Sequence, residues 1–95
     1  MPVFVIVQGK VTDVQQYEQY KAAAGPTVVN AGGGYVVRGG EATALEGGDV
    51  PERTVVLQFD TREAALAWYH GEPYQAARKL REHAADLRLY VVEGA

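Results

Sequence analysis

The chain has no cysteine, and no serine occurs anywhere in its 95 residues. Disulfides, thiolate metal ligands and every serine or cysteine nucleophile are therefore excluded. Histidine is scarce: His70 and His83 are the only two. They lie far apart with no ligand spacing, so no zinc or iron site is expected and no cofactor is implied. Positive charge is in deficit, with nine Lys and Arg against twelve Asp and Glu and a net charge of −3. That balance argues against a nucleic-acid surface, which needs a basic face to neutralise phosphates. Long apolar runs are also missing. Val3 to Val7 has no basic leader and is far too short for a membrane span or a signal segment. The expectation is one cytoplasmic domain over residues 1–95, with neither nucleic acid nor membrane as partner.

What is present is a regular alternation of strand-like and helix-like segments. Val3 to Val7 is β-branched and aromatic and reads as a first strand. Asp13 with Gln16 has capping-box spacing, and Val14, Tyr17 and Ala24 recur at helical intervals. Gly25-Pro26 predicts a kink or two short helices. The Gly32-Gly33-Gly34 run predicts a helix stop. Tyr35 to Arg38 reads as a strand, with a bulge or bend at Gly39-Gly40 and resumption over Ala42 to Leu45. After the turn around Gly47-Gly48, Arg53 to Phe59 is the third strand. Asp60 with Glu63 opens the next helix, Gly71-Glu72-Pro73 breaks it, and Pro73 suits the first turn of a new helical segment. Leu87 to Val92 is the last strand. This β-α-β-β-α-β order predicts a split βαβ α+β fold, a four-stranded antiparallel sheet with its helices on one face. Val3, Val5 and Val7 alternate with Phe4 and Ile6, so both faces of the first strand are apolar. The face left bare predicts a homodimer.

The glycine-rich stretch Gly32 to Glu41 invites a test for phosphate binding. It satisfies the outer glycines of a P-loop but has Gly40-Glu41 where lysine and a hydroxyl residue belong, and Glu41 would repel phosphate. The dinucleotide fingerprint fails too, because Val37 takes the place of its third glycine and the run joins a helix to a strand. These glycines read as a helix stop and a strand bend that opens space beside Arg38.

Five stretches then carry a family likeness: Tyr17-Glu18-Gln19-Tyr20-Lys21, the run from Gly32 to Gly40, Ala67-Trp68-Tyr69, Tyr74-Gln75-Ala76 and Val92-Glu93-Gly94. Across essentially the whole chain they resemble the bacterial domain-of-unknown-function thirteen-thirty family of the dimeric α+β-barrel superfamily. The resemblance implies a ferredoxin-like fold whose sheets pair in a dimer. Related barrel families include cofactor-free oxygenases, haem-degrading enzymes and small-molecule isomerases. The chain departs from the family pattern at Gly71-Glu72-Pro73-Tyr74, in the break of the second helix, and at Val50, where the hairpin tip often carries tryptophan.

Among residues able to do chemistry, Arg38 presents a planar fork suited to a carboxylate or enolate. The competing role is an ion pair with Glu41, Glu46 or Asp49. Tyr17, Tyr20, Trp68, Tyr69 and Tyr74 are enough to line a small aromatic pocket, with Gly39 and Gly40 at its edge. Core packing is the simpler account of most of these rings. Tyr20 is the first candidate for a free hydroxyl and His83, three residues before Asp86, for a base. Arg78, Lys79, Arg81 and Arg88 are interleaved with acids and read as a solvated face with Arg78–Glu82 pairing. Two functions stay open. One is a cofactor-free enzyme doing isomerisation, cyclisation or proton transfer on a small anionic metabolite, with Arg38, Tyr20 and His83 as catalytic residues. The other is a non-catalytic metabolite-binding or accessory dimer.

Overall fold

The computed structural model describes residues 1–95. Its elements are β1 (Val3–Val11), α1 (Val14–Asn30), β2 (Gly34–Arg38), β3 (Arg53–Phe59), α2 (Arg62–His70), α3 (Glu72–Lys79) and β4 (Ala85–Glu93). The strands form one antiparallel sheet in the order β2-β3-β1-β4, with β2 and β4 at its edges. The three helices bury their apolar stripes on a single face of it. Alternation along β1 and β3 brings Val3, Val5, Val7, Val55, Leu57 and Phe59 to that face, all at most 7% exposed. Tyr17, Tyr20, Ala24 and Val28, spaced by three and four, form the matching face of α1. Trp68 and Tyr74 complete the core from α2 and α3.

Local chemistry accounts for the element ends, and in several places it differs from the sequence expectation. Asp13 caps α1 by accepting from the Gln16 amide at 3.2 Å. Gln16 does not reach back as a capping box would; its Nε2 donates to the Leu80 carbonyl at 2.8 Å and ties α1 to the turn after α3. Gly25-Pro26 neither divides α1 into two short helices nor ends it; the helix runs unbroken through Pro26. Gly25 and Val28 are buried against the sheet while Pro26 faces solvent, so tertiary packing outweighs the hydrogen bond that proline deletes. α1 stops as expected at the glycines: Gly32 has φ +85, and its amide and that of Gly33 return to the carbonyls of Val29 and Val28 at 3.0 and 2.9 Å. This is the paired bonding of a Schellman cap. α2 is capped by Thr61, whose hydroxyl accepts from the Ala64 amide at 3.1 Å, and not by Asp60. The break at Gly71 is as expected, with Pro73 in the first turn of α3.

β2 is shorter than expected. It ends at Arg38, and Ala42 to Leu45 is not a strand; Leu45 is 93% exposed. The irregularity also lies earlier than Gly39-Gly40. Tyr35 pairs with Leu57, Val37 with Val56 and Arg38 with Val55, so Val36 is the extra residue of a bulge. In a regular strand Tyr35 and Arg38, three apart, would point to opposite faces. The bulge turns both toward the helices.

The other face of the sheet is bare and largely apolar. Val37, Val56, Ile6 and Tyr90 form one cross-strand row, and Phe4 pairs with Val92 in the next. Tyr90 and Val92 are 44% and 43% exposed.

Candidate functional site

The sequence-derived residues converge only in part. Between α1 and the sheet lies a cavity of about 40 Å³ lined by Tyr17, Tyr20, Lys21, Tyr35, Arg38 and Arg53 over a floor of core side chains that includes Trp68. At that size it holds two or three waters, or the head group of a small acid. Tyr17, Tyr20, Arg38 and Trp68 thus meet in one place. Tyr74 stands behind it, fully buried, with its hydroxyl 2.9 Å from that of Tyr20. Tyr69 lines a different cavity, on the β4 side of Trp68. Gly40 is exposed with open space around it. His83 is an exposed residue with φ 64 in the turn after α3, and it is not part of the cavity wall.

Three residues that the sequence reading missed complete the site. Arg53, first in β3, is on the inner face because it alternates with Val55, Leu57 and Phe59; that parity was legible. Its Nε donates to the Tyr17 hydroxyl at 3.1 Å, and its guanidinium carbon lies 5.2 Å from the Tyr17 ring centre. Tyr35 carries the Arg38 guanidinium over its ring at 4.1 Å. Gly25 supplies room: a Cβ there would lie 3.3 Å from an Arg38 Nη atom. Gly39, one of the expected residues, has a related role. Its φ is +73, and a Cβ would lie 2.6 Å from an Arg53 Nη atom, so only glycine lets the chain turn away over that guanidinium.

The electrostatics of the mouth are one-sided. Arg38 makes none of the expected pairs with Glu41, Glu46 or Asp49. Lys21 reaches Glu18 at 2.8 Å, and this is the chain's one salt bridge. Arg38 is exposed rather than desolvated, and its fixed partner is an aromatic face in a cation–π contact. Two arginines therefore stand at an aromatic-lined hollow with no carboxylate, on a chain of net negative charge. No carboxylate or imidazole lines the cavity. No group of three or more His, Asp or Glu side chains is placed to hold a metal ion.

Burial, and then the neighbouring Tyr74, push the Tyr20 phenol far above the ordinary tyrosine range. Burial raises Tyr35 as well, against the opposing effect of Arg38. Tyr20 is thus a neutral hydrogen-bonding group near neutral pH, and its hydroxyl is not free as expected but paired with that of Tyr74. Because both folded values exceed the ordinary value of about 10, their contribution to stability is full below about pH 10 and is lost as pH rises further. Tyr20→Phe should cost about 1–3 kcal/mol by stranding the buried Tyr74 hydroxyl, whereas Tyr20→Phe with Tyr74→Phe should cost less than the two single changes together. Urea unfolding of the four proteins measures this coupling; strict additivity would show that the two hydroxyls act independently.

The fold recurs in solved structures. The RPA0582 protein of unknown function from Rhodopseudomonas palustris superposes with a TM-score of 0.79 at 20% identity, covering 99% of this chain and 82% of that one. A dimeric ferredoxin-like protein of unknown function from Bacteroides fragilis gives 0.66 at 15% identity, covering 98% and 96%. Another from Thermobifida fusca, also dimeric and ferredoxin-like, gives 0.63 at 17% identity, covering 98% and 91%. Comparison with curated proteins finds no match. No helix is long and apolar enough to cross a membrane. The motifs on α1, β2, α2, α3 and the end of β4 are thus part of a likeness that runs from residue 2 to residue 95, and the chain belongs to the DUF1330 family, a domain of unknown function.

Proposed function

We propose that the domain binds a small organic anion, with a carboxylate or enolate head seated in the hollow between α1 and the sheet and its charge held by Arg38 and Arg53. The observation that carries this reading is the pair of guanidinium groups, without a carboxylate partner, beside a hollow of head-group size. Each guanidinium offers a planar fork of donors, and each is oriented by an aromatic ring, which lowers the entropy lost on gripping an anion. The body of the ligand would leave through the mouth, over Tyr35. Pyruvate is a suitable probe and pyruvamide its neutral counterpart. Pyruvate should raise the melting temperature and pyruvamide should not, because ligands that bind only the folded state stabilise it. Equal effects of the two would remove the charge-recognition reading.

A catalytic reading is favoured by one contact. Arg53 donates to the Tyr17 hydroxyl, which leaves the Tyr17 proton free to be given to an enolate held by the same arginine. This would be proton transfer without a cofactor, with Tyr17 rather than Tyr20 as the hydroxyl that gives the proton, no part for His83 as a base, and Tyr20 fixing the floor of the hollow through Tyr74. Deuterium exchange at the pyruvate methyl group separates the readings: a catalyst accelerates it over buffer and loses that acceleration in Tyr17→Phe, while a binder leaves it unchanged.

Association belongs to the same proposal. Two copies would pair through the bare sheet face, burying Phe4, Ile6, Val37, Val56, Tyr90 and Val92. Sedimentation at micromolar concentration should show two chains, and Ile6→Lys should shift the protein toward one. A monomeric wild type would show that the apolar rows remain in water.

A further inference from the structure

Another cavity lies on the other side of Trp68, where α2, α3 and the following turn approach the β4 edge. It has a volume of about 380 Å³, and nine of its twelve lining residues are hydrophobic. That falls within the roughly 300–1,000 Å³ typical of small-molecule sites. Its polar groups are Arg78, Arg81 and His70. The charge pattern predicts a surface pair of Arg78 with Glu82, but α3 ends at Lys79, so the i, i+4 geometry is lost and no such pair forms. The turn carries Arg81 inward until its guanidinium carbon lies 5.6 Å from the Tyr20 ring centre. Both arginines are half-buried, and the Nε of each is cut off from solvent with no hydrogen-bond partner. Neither meets a carboxylate.

Half-burying two guanidinium groups beside an apolar space carries a desolvation cost; at Arg81 the neighbouring Tyr74 and Tyr20 hydroxyls outweigh it and favour the charged form, but the chain sets no carboxylate against either arginine. An anion entering the cavity supplies that missing counter-charge. The walls specify the remainder of such a ligand. Trp68, Tyr69 and His70 form an edge-to-face series, with ring centres 6.1 and 5.2 Å apart, and Leu87 and Leu89 close the opposite side. Flat aromatic bodies fit such surroundings. We propose that this cavity is a second ligand site, taking an aromatic monocarboxylate whose ring packs between Trp68, Tyr69 and the β4 leucines and whose carboxylate is gripped by Arg78 and Arg81. It is independent of the Arg38 site. Trp68 and Leu89 line both cavities and form the wall between them.

The test uses 2-naphthoate as probe and 2-naphthol as its uncharged analogue, with calorimetry for affinity. The resonance of the single indole N–H, that of Trp68, reports occupancy. Naphthoate is expected to bind and to shift that resonance, with naphthol much weaker. Arg78→Gln with Arg81→Gln should weaken naphthoate by about tenfold or more, as loss of charge-assisted hydrogen bonds implies. Arg38→Gln with Arg53→Gln should leave it within about twofold, as expected for separate sites. Leu66→Trp, at the partly exposed rim, keeps both arginines and should block entry, which tests the site even if the double arginine variant fails to fold. The proposal is overturned if naphthoate does not bind at millimolar concentration, if naphthol binds as well as naphthoate, or if Leu66→Trp binds like wild type. Loss of binding in the Arg38 and Arg53 variant but not in the Arg78 and Arg81 variant would place the ligand in the first hollow and also overturn it.

Discussion

Trp68→Ala should lower stability by about 3–5 kcal/mol, the range for truncating a fully packed large aromatic. Trp68 is 5% exposed and ties its own helix to three other elements. Its ring centre lies 5.6 Å from that of Phe59 on β3 and 4.4 Å from that of Tyr74 on α3. Its Nε1 donates at 3.1 Å to the Thr27 hydroxyl on α1, which in turn donates to the Ala24 carbonyl at 2.6 Å. Removing the ring opens a void on the side of the first hollow and strands the Thr27 acceptor. At about 4–8 °C per kcal/mol for a domain of this size, the melting temperature should fall by well over 10 °C. Trp68→Phe retains most of the apolar area and loses the hydrogen bond, so it should cost clearly less. A melting curve for Trp68→Ala within a few degrees of wild type would mean that these elements are held together elsewhere.

Arg38→Gln combined with Arg53→Gln should weaken pyruvate binding by about a hundredfold or more, taking roughly 1.5–3 kcal/mol for each charge-assisted contact. The single changes should not be equivalent. Arg38 is exposed and stacks on Tyr35, so Arg38→Gln should leave the melting temperature nearly unchanged while reducing affinity. Arg53 also donates to the buried Tyr17 hydroxyl, so Arg53→Gln should reduce both affinity and stability, the latter by about 1 kcal/mol. Arg38→Lys keeps the charge but loses the fork and should fall between wild type and Arg38→Gln. Gly25→Ala is a quieter probe of the same site, since its Cβ would press on the Arg38 guanidinium. Pyruvate affinity unchanged in the double glutamine variant would remove both arginines from the binding function.

The order of elements, the two-faced apolar character of β1, the glycine stop after α1 and the break before Pro73 were all legible, because each depends on near neighbours in the chain. Alternation along β3 was enough to turn Arg53 inward with Val55, Leu57 and Phe59, and Tyr17 and Tyr20 were on the buried stripe of α1 by spacing alone. Tertiary structure decided the rest. Whether Gly25-Pro26 broke α1 depended on what the helix buried beyond the proline. The partners of Arg38 depended on the bulge at Val36, which sets Arg38 on the same face as Tyr35 when regular alternation would have separated them. Arg81 became half-buried because α3 ends at Lys79 and the next turn folds inward beside Arg78, which no charge pattern announces. His83 lies outside the hollow for the same reason, since that turn leaves it in water. Spacing determines which side of an element a residue occupies; only the packed fold determines where an element bulges or ends, and so which charges meet a cavity without a partner.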